Sequence, residues 1–493
     1  MSDRHLLQAI ILLVFLRLVS ASLIDLAPQE AYYWNYARHP ALSYFDHPPV
    51  VAWLISGGQF VLGKTELGVR IGGFLLTLLS TGLLYALGQL WFSRRAGLWA
   101  ALLFQLLPLY FVYGVLTTPD VPLNFFWLVT LYLISIAVRG CEKWAWYAAG
   151  IAFGLCMLSK YSAVFLLPST LLLLAIDSRY HQWFIRKEPY LALLIAALCF
   201  TPVILWNMDH DWVSFGFQIN DRLSRRQMHP LRSLGEFLLV QLGVTYPALI
   251  AALVMIPTVP LSLGLKARHL AWRFCLFFSL PFLTFLLLFS IHSRIKANWT
   301  LPAYLSLLID AYPAYRYLRF KSAARAKLVA KYILISGFYI LPVMYVVTIY
   351  HLTITIPGIP AFSFTTGWKE LAKEVGQEAQ DFEHAEGKKV FLLGLDSHYI
   401  AAALSFYSDD GREVFSRNLV GKPALAFAYW PPKIDPGGFN ALAVDTDPPD
   451  VESLQGYFVR VDEKIERIPI VKSGRVLDYF YVVKCFGYIG HQR

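Results

Sequence analysis

Long apolar runs separated by short polar stretches set the rhythm of this chain. The runs fall at 6–23, 69–90, 98–116, 121–138, 144–158, 161–176, 190–206, 237–256, 274–291, 301–318 and 332–349. At about 1.5 Å per residue, such runs cross or nearly cross a hydrocarbon core of about 30 Å as helices, which keep their backbone groups bonded where there is no water. The pattern therefore predicts a mainly α membrane protein with a bundle of about eleven transmembrane helices. The stretch 50–63 is apolar but shorter, and reads as a juxtamembrane or re-entrant helix.

From about Thr355 the pattern changes, with Lys, Glu, Asp and Gly rising and no run long enough to span. "WKELAKEVGQEAQDFE" and "SHYIAAALSFYS" predict amphipathic helices; "KKVFLLGL", "PALAFAYW", "ALAVDT", "GYFVRV", "RIPIV" and "DYFYVVKCF" predict strands. The expected division is a transmembrane domain over residues 1–352 and a soluble α/β domain over 353–493.

Composition agrees with the pattern. Of 493 residues 57% are hydrophobic and only 15% are charged, which excludes an ordinary soluble globular protein. With the N-terminus inside, the inner loops carry about 17 Lys and Arg against about 9 in the short outer loops. An odd number of crossings then puts the soluble domain outside. The net charge of +10 is accounted for by topology and anionic lipid, without nucleic acid. The five cysteines follow neither a disulfide framework nor a metal-ligand spacing.

The polar residues that change this picture sit in outer loops. "PQEAYYWNYARHPALSYFDHPP" sets Glu30, Arg38, Asp46 and His47 among aromatic residues. Glu30, Tyr33 and Trp34 share one face of a short helix at i, i+3, i+4 spacing, which predicts an aromatic platform on the bilayer surface. Two prolines after His47 stiffen the turn that holds Asp46. In "TTPDVPLNFFW", Asp120 opens a span, where it can cap the helix, do chemistry, or both. Lys160 in "LSKYSA", with Arg222, Arg294 and Lys296, offers cations to a phosphate at the interface, and snorkelling is the alternative for Lys160. His210 and Asn298 fall on the same side. His210 and Asp211 are adjacent, and no ligand pair has helical i, i+4 spacing, so the spacing does not favour a metal site. Carboxylates, cations and aromatics on one membrane face suit a polar, ring-shaped ligand bearing a phosphate.

At these residues the sequence resembles the polytopic GT-C glycosyltransferases of the protein O-mannosyltransferase class, including lipid A aminoarabinose transferases and bacterial glycosyltransferase family 39 proteins. The motifs are "EAYYWNYARHPALSYFDHPPVVAWL", "TTPDVPLNFFW", "LSKYSA", "WNMDHDWVSFGFQ" and "SRIKANW". The resemblance implies a multi-pass protein of the bacterial inner membrane, with active site and C-terminal domain periplasmic. It implies an inverting transferase that moves a sugar from a polyprenyl-phosphate-linked donor to a lipid, glycan or protein acceptor, with no cofactor required. Asp46, Glu30 and Asp120 are then the expected catalytic carboxylates. Substrate-binding groups are expected at His47, Lys160, Tyr33, Trp34, Arg38, His210, Arg222, Arg294, Lys296 and Asn298. The family's acidic pair reads Gln29-Glu30 here, and Gln29 cannot accept a proton, so the base falls to one of the remaining carboxylates. Two alternatives stand beside this one, a flippase or transporter of polyprenyl-linked sugars and a non-catalytic binder of them.

Overall fold

The computed structural model describes residues 2–221, 230–241, 267–324, 326–328, 331, 366–396, 398–408, 411–472 and 474–490. It divides into two compact units. The first takes residues 1–21, 47–54 and 70–346, and the second residues 22–46, 55–69 and 347–493.

The first unit is helical. Among the described residues, five helices are long and apolar enough to cross a membrane, namely Asp3–Leu23, Glu66–Trp91, Asp120–Gly140, Glu188–Met208 and Leu270–Ser290. The predicted span at 98–116 is instead a pair, Arg94–Leu106 and Pro108–Val115, bent by 70°. Pro108 has no N–H to donate and disfavours a helical Leu107, so the break falls where sterics demand it. The predicted spans at 144–158 and 161–176 appear as Lys143–Met157 and as a 3-10 turn, Tyr161–Phe165, that continues into Leu166–Ile176. The span at 301–318 forms Leu301–Lys321. Residues 230–241 are helical, while the remainder of the run at 237–256 and all of 332–349 lie outside the described residues.

One apolar core joins these helices, with Trp127, Trp183, Tyr110, Tyr304, Phe274 and Phe278 among its fully buried members. A close seam follows from "GIAFG". A Cβ on Gly150 would sit 2.4 Å from the Ala192 carbonyl oxygen, and one on Gly154 would sit 2.5 Å from Cys199 Cβ. Small residues four apart let Lys143–Met157 and Glu188–Met208 approach backbone to backbone, a common device where lipid removes the hydrophobic drive between helices.

The second unit holds a six-stranded sheet of β1 (Val390–Gly394), β2 (Val414–Ser416), β3 (Asn440–Asp445), β4 (Phe458–Val461), β5 (Glu466–Lys472) and β6 (Arg475–Tyr488). The order is β2-β1-β3-β6-β4, with β5 also on β6. β1 runs parallel to β2 and β3, and β6 runs antiparallel to its partners. The helix Trp368–Glu386 buries Leu371, Val375 and Phe382 in the same core as Leu392 and Leu442. One strand expectation is corrected and one strand is unforeseen. "PALAFAYW" is not a strand: Leu425–Tyr429 is a 3-10 turn, and the Ala426 N–H donates to the Tyr32 hydroxyl at 3.1 Å instead of to a neighbouring strand. β2 is three residues long and carries no periodicity that could announce it.

Candidate functional site

Asp120 is the first residue of its helix, after Pro119. The capping expected of it does not occur, since the helix has no side-chain cap. Its carboxylate is taken by two other groups. Lys160 Nζ donates to Oδ1 at 2.6 Å, and Asn298 Nδ2 donates to Oδ2 at 2.7 Å. Each partner sits where a helix gives way to a 3-10 turn: Lys160 is the extended residue before Tyr161–Phe165, and Asn298 lies in Ala297–Thr300 before Leu301–Lys321. Three motifs far apart in sequence thus meet at three helix ends. All three side chains are buried, with relative exposures of 3%, 8% and 5%. Removing an ion pair from water is expensive, and it persists only where partners satisfy both charges, as here. The Asn298 amide oxygen is itself buried with no hydrogen-bond partner among the described residues.

In the second unit the segment after the first apolar run forms the helix Pro28–Arg38, with Pro28 at its first position where a missing N–H does no harm. Glu30 is fully buried and its Oε2 accepts the Ala27 N–H at 3.1 Å, closing the N-terminus of its own helix. Asp46 is bound by two tyrosines one turn apart on the same helix. Tyr32 donates its hydroxyl to Asp46 Oδ1 at 2.7 Å, and the Tyr36 hydroxyl donates to the same oxygen. Burial, and then the Asp46 charge, push both phenols well above their ordinary pKa, so they remain donors. Tyr32 and Tyr36 were missed in the sequence reading, which followed Tyr33 and Trp34. Their i, i+4 spacing opposite an aspartate was the signal available.

The aromatic platform expected on the bilayer surface is buried within the protein instead. Tyr33 and Trp34 are 2% and 3% exposed, and Trp34 packs edge-on to Phe406 at 5.1 Å. Large aromatic faces gain more from full burial in a protein core than from an interface position. Arg38 lies over the Trp34 ring at 5.0 Å. His47, next in sequence to Asp46, is buried. Elsewhere, His210 stacks on Trp206 at 4.0 Å and its Nδ1 meets the Trp206 carbonyl at 2.8 Å. Arg294 is exposed and paired with Glu236 at 3.0 Å. Lys296 precedes the turn that carries Asn298, and Arg222 lies outside the described residues. Among the described residues no cluster of three or more His, Cys, Asp or Glu could hold a metal ion.

The first unit is thus a helical bundle with a buried Asp–Lys–Asn cluster at its helix ends, and the second unit holds the sheet. Over 98% of its length the chain superposes on 98% of ArnT from Cupriavidus metallidurans bound to undecaprenyl phosphate, with a TM-score of 0.67 at 15% identity. The apo structure of that protein gives 0.66 at 16% identity over 97% of both chains. The chain is therefore a multi-pass membrane protein with the GT-C glycosyltransferase fold. Residues 46–206 match the family described as dolichyl-phosphate-mannose-protein mannosyltransferase. Among curated relatives, it is 22% identical to the lipid A galacturonosyltransferase RgtD of Rhizobium johnstonii, over 57% of this chain and 59% of that one. It is 32% identical to the undecaprenyl phosphate-alpha-4-amino-4-deoxy-L-arabinose arabinosyl transferase of Pseudomonas savastanoi pv. phaseolicola, over 28% of this chain and 27% of that one. The match thus spans less than two thirds of either relative.

Proposed function

We propose that the protein is a membrane glycosyltransferase that moves a sugar from a polyprenyl-phosphate-linked donor to a lipid acceptor of the lipid A kind, inverting the anomeric carbon. The observation that carries this reading is the buried Asp120–Lys160–Asn298 cluster within a GT-C fold. Support comes from the relatives above, which are named as lipid A galacturonosyl and undecaprenyl-phosphate-aminoarabinose transferases, and from the fold shared with an ArnT bound to undecaprenyl phosphate. By the positive-inside asymmetry the work is done on the periplasmic face of a bacterial inner membrane, with residues 353–493 as a periplasmic domain.

In the reaction an acceptor oxygen attacks the anomeric carbon as the bond from that carbon to the donor phosphate breaks, and the polyprenyl phosphate leaves. A hydroxyl acceptor must lose a proton to a carboxylate within hydrogen-bond reach. A phosphate acceptor is already anionic and needs none. Asp46, whose Oδ1 accepts the Tyr32 and Tyr36 hydroxyls, is the carboxylate assigned to that step. Lys160 is assigned to the donor phosphate, where an ammonium released from Asp120 can neutralise the leaving charge. Asp120 is then a positioning acid for Lys160.

The test is transfer of radiolabelled sugar from a panel of polyprenyl-phosphate sugars to membrane lipids by the purified protein in lipid. Transfer by the wild type and its loss in folded Asp46→Asn and Lys160→Met proteins is expected. Wild-type rates in both variants would overturn the assignment, and no transfer from any donor would favour a flippase or a non-catalytic binder.

A further inference from the structure

The second unit contains a cleft of about 380 Å³ that the proposed chemistry does not use. Its lining comes from the C-terminal half of Pro28–Arg38, from Lys64, and from the chain between Ser405 and Lys433. Three features set its chemistry. Among its lining residues, Trp34 Nε1, Ser408 Oγ and Ser416 Oγ are buried with no hydrogen-bond partner among the described residues. Trp34 and Ser416 are 3% and 1% exposed. A buried donor without a partner is costly, so residues that keep such donors beside a cleft suit a ligand rich in acceptor oxygens.

The second feature is charge. Arg38, Lys64, Arg412 and Lys433 line the cleft, against Glu413 as the one carboxylate lining it among the described residues. Arg412 is committed to Glu383 and to the Val390 carbonyl. Arg38 and Lys433 have no carboxylate partner among the described residues. Asp409 and Asp410, next in sequence to Ser408, lie outside the described residues. The third feature is aromatic. Trp430 stacks flat on His39 at 4.5 Å and meets Phe427 at 5.0 Å, and all three line the cleft. Indole and phenyl faces receive the C–H face of a sugar ring, while guanidinium and ammonium groups receive a phosphate.

We propose that this cleft binds a phosphorylated saccharide, the chemistry shared by the head group of a phosphoglycolipid acceptor and a free sugar phosphate. The proposal rests on the transferase reading only for the glycolipid source; binding itself can be measured without transfer. The cleft would recognise the acceptor head group through its phosphate and one ring face.

The experiment is calorimetric titration of the full-length protein in nanodiscs. The probes are a bisphosphorylated glucosamine disaccharide, the same disaccharide without phosphates, inorganic phosphate, and a tetra-acylated form of the bisphosphorylated disaccharide. The phosphorylated disaccharide is expected to bind the wild type at least tenfold more tightly than the other two soluble probes. Arg38→Gln with Lys433→Gln, and separately Ser416→Ala, should each weaken it at least tenfold with thermal unfolding unchanged. Ser416→Ala removes an unpartnered hydroxyl without adding volume, so it keeps the test valid if the double variant misfolds. Tighter binding of the acylated form would support the glycolipid as source, and equal affinity a soluble sugar phosphate. Equal affinity for inorganic phosphate, binding untouched by either variant, or no binding at all would overturn the proposal. Sugar transfer from a polyprenyl-phosphate donor is read in a separate assay, so loss of this site and loss of the transferase reading give different results.

Discussion

Asp120 and Lys160 show how much a single buried pair decides. Both side chains are nearly closed to water, and their contact is a direct 2.6 Å hydrogen bond. Deleting one charge leaves the other buried and unpaired, which typically costs about 3–5 kcal/mol. Asp120→Asn and Lys160→Met alone should each destabilise the first unit by about that amount, whereas the double variant should recover most of the loss by thermal unfolding and still fail to transfer. A double variant no more stable than the singles would contradict a paired role. At Asp46 the relevant neighbours are hydroxyls. Tyr36→Phe removes one hydrogen bond to that carboxylate and should lower stability by about 1.5–3 kcal/mol, the range for a hydrogen bond to a charged group, and slow transfer. Unchanged stability and rate would separate Tyr36 from the placing of Asp46.

Elements carry the next level of constraint. Gly150 and Gly154 allow two spans to touch through Ala192, Ala196 and Cys199. Gly150→Leu has no space to occupy, because the atom in its way is a backbone carbonyl. The variant should lose several kcal/mol or fail to accumulate, and Gly82→Leu, which meets nothing within 4 Å, serves as the control. At the C-terminus of Pro28–Arg38, the His39 imidazole is held below its ordinary pKa of 6.5 by burial and, to a lesser degree, by Lys433 and Arg38, against the pull of the Asn35 carbonyl. A depressed value means that the folded state favours the neutral ring. The stability contributed is complete above pH 6.5 and is lost as pH falls through the folded value. The melting temperature of the wild type should therefore drop as pH falls below 6.5, and the drop should be smaller in His39→Gln. Equal slopes would exclude His39 as the source.

At the scale of the whole molecule, the second unit is assembled from three stretches of chain, residues 22–46, 55–69 and 347–493. The Leu26 N–H donates to the Tyr407 hydroxyl at 2.6 Å, and Trp34 packs on Phe406. A chain ending at residue 352 should thus be cleaved by protease within residues 22–46 and inactive in transfer; resistance to cleavage there would show that the first loop folds without its partner. Apolar periodicity alone was enough to read a membrane bundle and a soluble α/β tail, because spans and amphipathic helices write their period into consecutive residues. Local chemistry was also enough to single out Asp46, Asp120, Lys160 and Asn298, since charged or amide groups beside lipid need a partner or a task. Which of them meet was decided only by tertiary structure: Asp120 joins Lys160 and Asn298 over 40 and 178 positions of chain. The cleft floored by Trp34 and Ser416 was likewise invisible, because its donors count as unpaired only once the surrounding fold has removed them from water. Sequence determines what each residue can offer over a few neighbours; a buried site is defined by long-range contacts, whose identity no local period records.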